Sequence, residues 1–114
     1  MIPMAILIEA ASKVCLVDLA EIKGNRRARE LAYIRFAISH IAKEQGFSFP
    51  RIGQGLGMKD ASSIRHAVVQ AENLLGRDAT FAEMVSDISK VAAAMHQTHR
   101  KNLLSAISNL ALAA

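Results

Sequence analysis

The stretch from Phe47 to Ala67, FSFPRIGQGLGMKDASSIRHA, decides the fold of this 114-residue chain. Ser48 and Asp60 are typical helix N-caps, and each stands before a segment with helical spacing of its apolar residues. Gly57 and Met58 lie between these two segments, where they favour a tight turn. The sequence therefore predicts two helices, from Phe49 or Pro50 to Gly55 and from Ala61 to about Leu75, in the layout of a helix-turn-helix.

The rest of the chain is predicted to be helical as well. A first helix is expected from about Pro3 or Met4 to Lys13, and a short one after the cap Asp18 to Ile22, with Gly24 able to take a positive φ. A long helix is expected over 28–45, and a last one from Asp78 or Thr80 towards Ala114, with a break near His96–Lys101 left open. No alternating strand pattern interrupts them. We expect an all-α fold with a helix-turn-helix domain over 1–92 and an extra C-terminal helix over 93–114.

Positive charge is concentrated around the predicted helix-turn-helix. The segment 23–65 holds nine basic and three acidic residues, a local net charge of +6, whereas the rest holds five basic and seven acidic. The cluster Arg26-Arg27-Ala28-Arg29 lies in this segment. Such a distribution favours binding to phosphates of duplex DNA, although a basic, solvated face remains an alternative.

Composition excludes several other classes. Aromatic residues make up 4% of the chain, too few for platforms that stack single-stranded bases. The single Cys15 allows no internal disulfide, and the apolar start, Met1 to Ile8, lacks a basic flank and is interrupted by Glu9. We therefore expect a cytoplasmic protein without a membrane span.

The sequence also argues against catalysis. No nucleophile and base stand at a recognisable spacing, and the glycines 53, 55 and 57 do not follow a predicted strand. His96 and His99 could share a helix face, but no third metal ligand lies nearby. We expect no enzyme activity, no metal site and no cofactor.

Four ordered segments carry a resemblance to a known family. These are Asp18-Leu19 with the following arginine cluster; Arg35 with Ile41-Ala42-Lys43-Glu44; Ser48-Phe49-Pro50-Arg51-Ile52-Gly53; and Gly57 to Ala67. From about Val14 to Ile88 the chain resembles the C-terminal DNA-binding domain of the bacterial replication initiator DnaA. The family's ATPase module has no counterpart, because no glycine-rich loop ends in Gly-Lys-Ser/Thr. A stand-alone relative of the DNA-binding domain is the resulting expectation.

The resemblance has departures at positions that read DNA. The signature histidine is Ala61 here, and its two threonines are Ser62 and Ser63. Met58 replaces the family's second glycine, and Tyr33-Ile34-Arg35 replaces its arginine-proline-arginine. Serine keeps the hydroxyl but loses the methyl group that could pack on a thymine methyl. The preferred site could therefore differ from the DnaA box.

The predicted DNA-binding residues fall into two groups. By resemblance, Arg27 with Arg26 or Arg29 enters the minor groove, and Arg35 contacts phosphate; a solvated loop is the alternative. At the front of the second helix, Lys59 and Ser63 are expected on phosphates and Ala61, Ser62 and Arg65 on base edges. Asp60 is expected to act first as a cap, and Arg65 could also lie beyond reach.

The C-terminal residues leave two roles open. Leu103, Leu104, Ile107, Leu110 and Leu112 follow Arg100-Lys101 as an apolar stripe that could fold back on the first helix or pair with another copy. The leading hypothesis is sequence-preferring binding to double-stranded DNA, as a regulator or a replication-linked factor without ATPase. The alternative is a protein-interaction or oligomerisation module that kept the scaffold and lost base reading.

Overall fold

The computed structural model describes residues 1–113, which form six α-helices and no strand. The helices are α1 (Met4–Cys15), α2 (Leu19–Lys23), α3 (Arg29–Glu44), α4 (Phe49–Gly55), α5 (Ala61–Leu75) and α6 (Ala79–Ala113). The predicted all-α class is confirmed.

Side-chain caps set the starts of the later helices. Ser48 and Asp60 cap α4 and α5, each accepting the backbone N–H three residues ahead, at 3.3 and 2.8 Å. Asp78, rather than Thr80, caps α6 in the same way at 3.0 Å. Asp18 stands before α2, but its side chain makes no capping hydrogen bond.

The left-handed backbone positions differ from the expected ones. Gly24 is extended, with φ −76° and ψ −171°, so it does not use its freedom at positive φ. Leu16 instead ends α1 with φ 55°, and its side chain is exposed. The chain thereby turns sharply from α1 into α2.

The core lies where α1, α3, α5 and the first half of α6 meet. α1 packs along α6, and α3 packs against α5. The N-terminal segment is fixed by Gln45 at the end of α3, which accepts the N–H of Ile2 at 2.7 Å and donates to its carbonyl at 3.3 Å. The largest fully buried apolar side chains are Phe81, Leu7, Ile8, Ile22, Ile38, Ile52, Leu56 and Ile88.

The last helix continues beyond the core. α6 runs through His96–Lys101 without the break that the sequence left open, so the extension is the second half of one helix. Its last buried residue is Ala92, and every side chain over 97–112 is exposed. The described residues accordingly extend 54 × 28 × 25 Å. Within residues 1–113, no helix combines the length and apolarity needed to cross a membrane.

Candidate nucleic-acid interface

The turn between α4 and α5 depends on a close backbone approach at Gly53. The carbonyl of Gly53 accepts the N–H of Lys59 at 2.9 Å, and a Cβ added to Gly53 would lie 2.0 Å from the Lys59 carbonyl oxygen. Gly57 and Met58 then reverse the chain with φ of 86° and 67°. Because only glycine fits at position 53, the sequence holds α4 and α5 in a tight pair at this point.

A cleft separates α5 from the segment between α2 and α3. We call residues Asn25–Ala28 the basic loop. The cleft has a volume of about 690 Å³, with the basic loop on one side, the N-terminal turn of α5 on the other, and Phe36 and Ser39 of α3 among its lining residues. Its charged and hydroxyl-bearing lining residues include Arg27, Arg35, Lys59, Asp60, Ser62 and Ser63.

The cleft therefore brings together six of the ten predicted DNA-binding residues. The other four, Arg26, Arg29, Ala61 and Arg65, lie outside it but are exposed. Arg26 forms an exposed ion pair with Glu21 at 3.6 Å, a contact of little stabilising value. The guanidinium of Arg26 can therefore leave the Glu21 carboxylate at little cost in stability.

Two of the outer arginines lie against aromatic rings. Arg29 donates to the hydroxyl of Tyr33 at 3.2 Å, and this hydrogen bond raises the pKa of its guanidinium. Arg65 lies over the ring of Phe49 with its guanidinium carbon 5.3 Å from the ring centroid. Lys43 contacts the same ring at 4.5 Å, so cations from α3 and α5 meet at Phe49.

Arg35 and Lys59 are turned towards backbone carbonyls. Arg35 donates from Nε to Ile22 at 2.9 Å, from Nη1 to Arg26 at 2.9 Å, and from Nη2 to Glu21 at 2.9 Å and Gly24 at 3.0 Å. Lys59 Nζ donates to Lys23 at 3.2 Å and Gly24 at 2.7 Å. Burial lowers the pKa of both groups, and the neighbouring charge of Arg35 lowers the pKa of Lys59 further. Both cations thus bind the end of α2 and Gly24, and Arg35 also binds the basic loop at Arg26.

Asp60 is held by the start of its own helix. Its Oδ1 accepts the N–H of Ser63 at 2.8 Å and the hydroxyl of Ser62 at 2.9 Å. The backbone hydrogen bond from Ser63, followed by the hydroxyl of Ser62, lowers the pKa of this carboxyl. The prediction that Asp60 caps α5 is confirmed.

Nine of the fifteen residues that line the cleft were not among the predicted site residues. Asn25 begins the basic loop, and the exposed ring of His66 lies edge-on against Phe36, with the centroids 6.2 Å apart. The contact between Phe36 and His66 depends on packing between α3 and α5, which the sequence pattern does not specify. The Asn-Arg-Arg run was the only available signal for Asn25.

The fold and the cleft together define a helix-turn-helix domain with a basic loop beside its second helix. A family model described as bacterial dnaA protein helix-turn-helix matches residues 4–70. This match covers more than half of the chain, so the chain belongs to the bacterial DnaA helix-turn-helix family.

Individual relatives agree with this assignment. The chain is 34% identical over 76 residues to the chromosomal replication initiator protein DnaA of Wolbachia pipientis wMel, covering 66% of this chain and 16% of that protein. It is 31% identical over 84 residues to DnaA of Enterococcus faecalis, covering 73% and 19%. The match with DnaA of Gluconobacter oxydans is 34% over 70 residues, covering 60% and 15%. The chain thus matches less than a fifth of each relative's length.

Proposed function

We propose that this protein binds double-stranded DNA with α5 in the major groove and the basic loop in an adjacent minor groove. The observation that carries the proposal is the cleft, which has Arg27 on one side and the N-terminus of α5 on the other. In duplex DNA a phosphate strand separates neighbouring grooves. A strand lying in the cleft would therefore meet cations and hydroxyls from both sides.

The exposed residues divide between backbone and base contacts. Arg26, Arg27 and Arg29 would lie along the minor groove and its phosphates, where arginine favours narrow, A·T-rich DNA. The free N–H groups at the start of α5, with Ser63, suit a phosphate oxygen. This assignment explains why the local charge is +6 although the whole chain carries only +4.

Base reading would fall to the outer face of α5. Ala61, Ser62 and Arg65 are exposed on its first two turns. Ala61 offers only a methyl group, and the hydroxyl of Ser62 donates to Asp60, so Arg65 is the strongest candidate for a guanine contact. Fewer direct base contacts imply a weaker sequence preference than a histidine and two threonines would give.

The relatives are chromosomal replication initiators by name, which supports a role at initiator sites or at related regulatory sites. The 114 residues contain no phosphate-binding loop of the Gly-Lys-Ser/Thr type. We therefore propose that this chain acts by occupying DNA in the cytoplasm, as a regulator or replication-linked factor, without hydrolysing ATP itself.

Fluorescence anisotropy with a labelled DnaA-box duplex and a shuffled duplex, each at two salt concentrations, tests the proposal. Tighter, salt-sensitive binding to the box would assign the protein to initiator sites. Equal, salt-sensitive binding to both would retain the DNA role with another target sequence. Absence of binding at low salt would contradict it.

A second function is favoured by the exposed end of α6. Leu103, Leu104, Ile107 and Leu110 are 54–72% exposed. At about 100° per residue, all four side chains point within about 60° of a single direction around the helix axis. Leu112 falls about 140° from Ile107, so it does not belong to the stripe that the sequence predicted. We define the remaining four residues as the α6 stripe and propose that it pairs with a second copy.

The free energies involved favour weak dimerisation through the α6 stripe. Eight side chains from two copies would gain roughly 1–2 kcal/mol each, since they start half exposed or more. The sum, about 8–16 kcal/mol, is comparable with the cost of association of about 4–15 kcal/mol. We expect a dimer that dissociates on dilution, which would suit two half-sites on DNA.

Sedimentation velocity over a concentration series tests this pairing. Leu104→Asp with Ile107→Asp should abolish the concentration dependence. Ser105→Asp with Asn109→Asp, which adds the same charge on the opposite face, should preserve it. A wild-type protein that stays monomeric at every concentration would contradict the pairing and leave the DNA role untouched.

A further inference from the structure

Two cations that the sequence assigned to phosphates have other partners in the structure. Arg35 uses four of its five N–H donors on the carbonyls of Glu21, Ile22, Gly24 and Arg26. One donor remains, so a two-pronged phosphate contact would require breaking a bond to this segment. Among the last carbonyls of α2, that of Glu21 also accepts the N–H of Gly24 at 3.3 Å, and Arg35 donates to it and to that of Ile22.

A second connection joins the same segment to the helix-turn-helix. Lys59 lies in the turn before α5, and its ammonium donates to the carbonyls of Lys23 and Gly24. Gly57 in the same turn touches Lys23 directly, because a Cβ there would lie 2.1 Å from the Lys23 carbonyl oxygen. The residues just before the basic loop are therefore hydrogen-bonded to α3 through Arg35 and to the turn before α5 through Lys59.

We propose that Arg35 and Lys59 are positioning residues that fix the distance between the basic loop and α5, so that Arg27 and α5 meet adjacent grooves of one duplex together. This inference rests on the DNA-binding function proposed above. Ordering a loop costs free energy, and a loop ordered before binding removes that cost from the affinity. Arg35 thus acts through Arg27 and does not need to touch DNA.

A phosphate ligand and a positioning residue respond differently to a change that keeps the charge. Arg35→Lys retains a cation for a phosphate but loses the planar fork that reaches four carbonyls. A positioning role predicts that Arg35→Lys weakens binding about as much as Arg27→Ala, on the order of ten-fold. It further predicts that the variant with both changes binds the duplex at most about two-fold more weakly than Arg27→Ala alone, because both changes remove the same contact.

The experiment is a double-mutant cycle by fluorescence anisotropy on whichever duplex the wild-type chain binds best. Arg51→Lys, the same exchange at an exposed position of α4, is the matched control and should leave the affinity unchanged. Circular dichroism establishes that each variant is folded. Should Arg35→Lys fail to fold, Lys59→Met takes its place in the cycle with the same expectation.

The outcomes separate this inference from the proposed function. A wild-type protein that binds no duplex contradicts DNA binding itself. If wild type binds and Arg35→Lys binds equally well, or if the losses of Arg27→Ala and Arg35→Lys multiply to about one hundred-fold, the cations act independently and the positioning role is overturned. Coupled losses support it, because a general loss of stability would not depend on whether Arg27 is present.

Discussion

Arg35 and Lys59 donate hydrogen bonds to the same carbonyl oxygen, that of Gly24, at 3.0 and 2.7 Å. One side chain comes from α3 and the other from the turn before α5. The two positive charges repel each other, and after burial this repulsion from Arg35 is the second cause that lowers the pKa of Lys59. The carbonyl oxygens at the end of α2, which accept hydrogen bonds from both cations, offset that repulsion. The basic loop and the helix-turn-helix consequently form one unit.

Met58 is expected to be less favourable than glycine at its position. It has a φ of 67° and a side chain that is 80% exposed, so it adopts a left-handed conformation without gaining burial. Met58→Gly should increase the free energy of unfolding by about 0.5–1 kcal/mol. Lys90→Gly, in the exposed interior of α6, should instead decrease it by about 1 kcal/mol. Urea titration measures both, and a loss in Met58→Gly would contradict the strain argument.

Gly53 should tolerate no side chain. Its added Cβ would lie 2.0 Å from a carbonyl oxygen of the turn, so Gly53→Ala must push α4 and α5 apart. We expect a loss of about 1–3 kcal/mol in the free energy of unfolding. Gly76→Ala is the control, because the nearest atom to its Cβ is 3.7 Å away. Equal thermal midpoints for the two variants would show that the turn can accommodate a side chain at position 53.

Local signals in the sequence predicted most of the fold. Ser48 and Asp60 fixed the starts of two helices because a cap acts within three residues. Asp78 and Thr80 were equally good caps by type, and only the chain's path distinguishes them. Leu16 at positive φ was not foreseeable, since no residue type there signals a left-handed turn.

The candidate site was less predictable than the fold. Arg27, from the arginine cluster, and Ser63, from the start of the second helix, were both predicted as site residues, and both line the cleft. Arg35, however, bonds to carbonyls 9–14 residues away, a relationship that depends on how α2 packs on α3. In the sequence alone, a cationic residue in a basic segment looks the same whether its partners in the folded protein are DNA phosphates or backbone carbonyls.

Asp60 should make the stability of the domain depend on acid. Its pKa is lowered in the folded state, so its contribution is present above the unfolded value of about 4 and is lost as the pH falls through the folded value. Asp60→Asn retains a cap but does not titrate, so its thermal midpoint should fall less between pH 5 and pH 2.5. If the thermal midpoints of wild type and Asp60→Asn fall by the same amount, Asp60 does not contribute to the acid sensitivity of the domain.

Ser39 offers a stabilising substitution. Its hydroxyl is fully buried in α3 and has no hydrogen-bond partner within residues 1–113. Ser39→Ala removes an unsatisfied group and adds helix propensity, so the free energy of unfolding should rise by about 1 kcal/mol. Ser12→Ala removes a hydroxyl that donates to the Val17 carbonyl and should lower it instead. Destabilisation of both variants in urea titrations would mean that the Ser39 hydroxyl has a partner after all.

The salt dependence of duplex binding tests the central claim most directly. The measurement is the slope of log affinity against log salt concentration for wild type, Arg27→Ala and the control Lys90→Ala on α6. A cation on a phosphate contributes about one unit to this slope. We expect a steep slope for wild type and Lys90→Ala, and weaker binding with a slope shallower by about one unit for Arg27→Ala. Superimposable lines for all three proteins would contradict a DNA interface at the cleft.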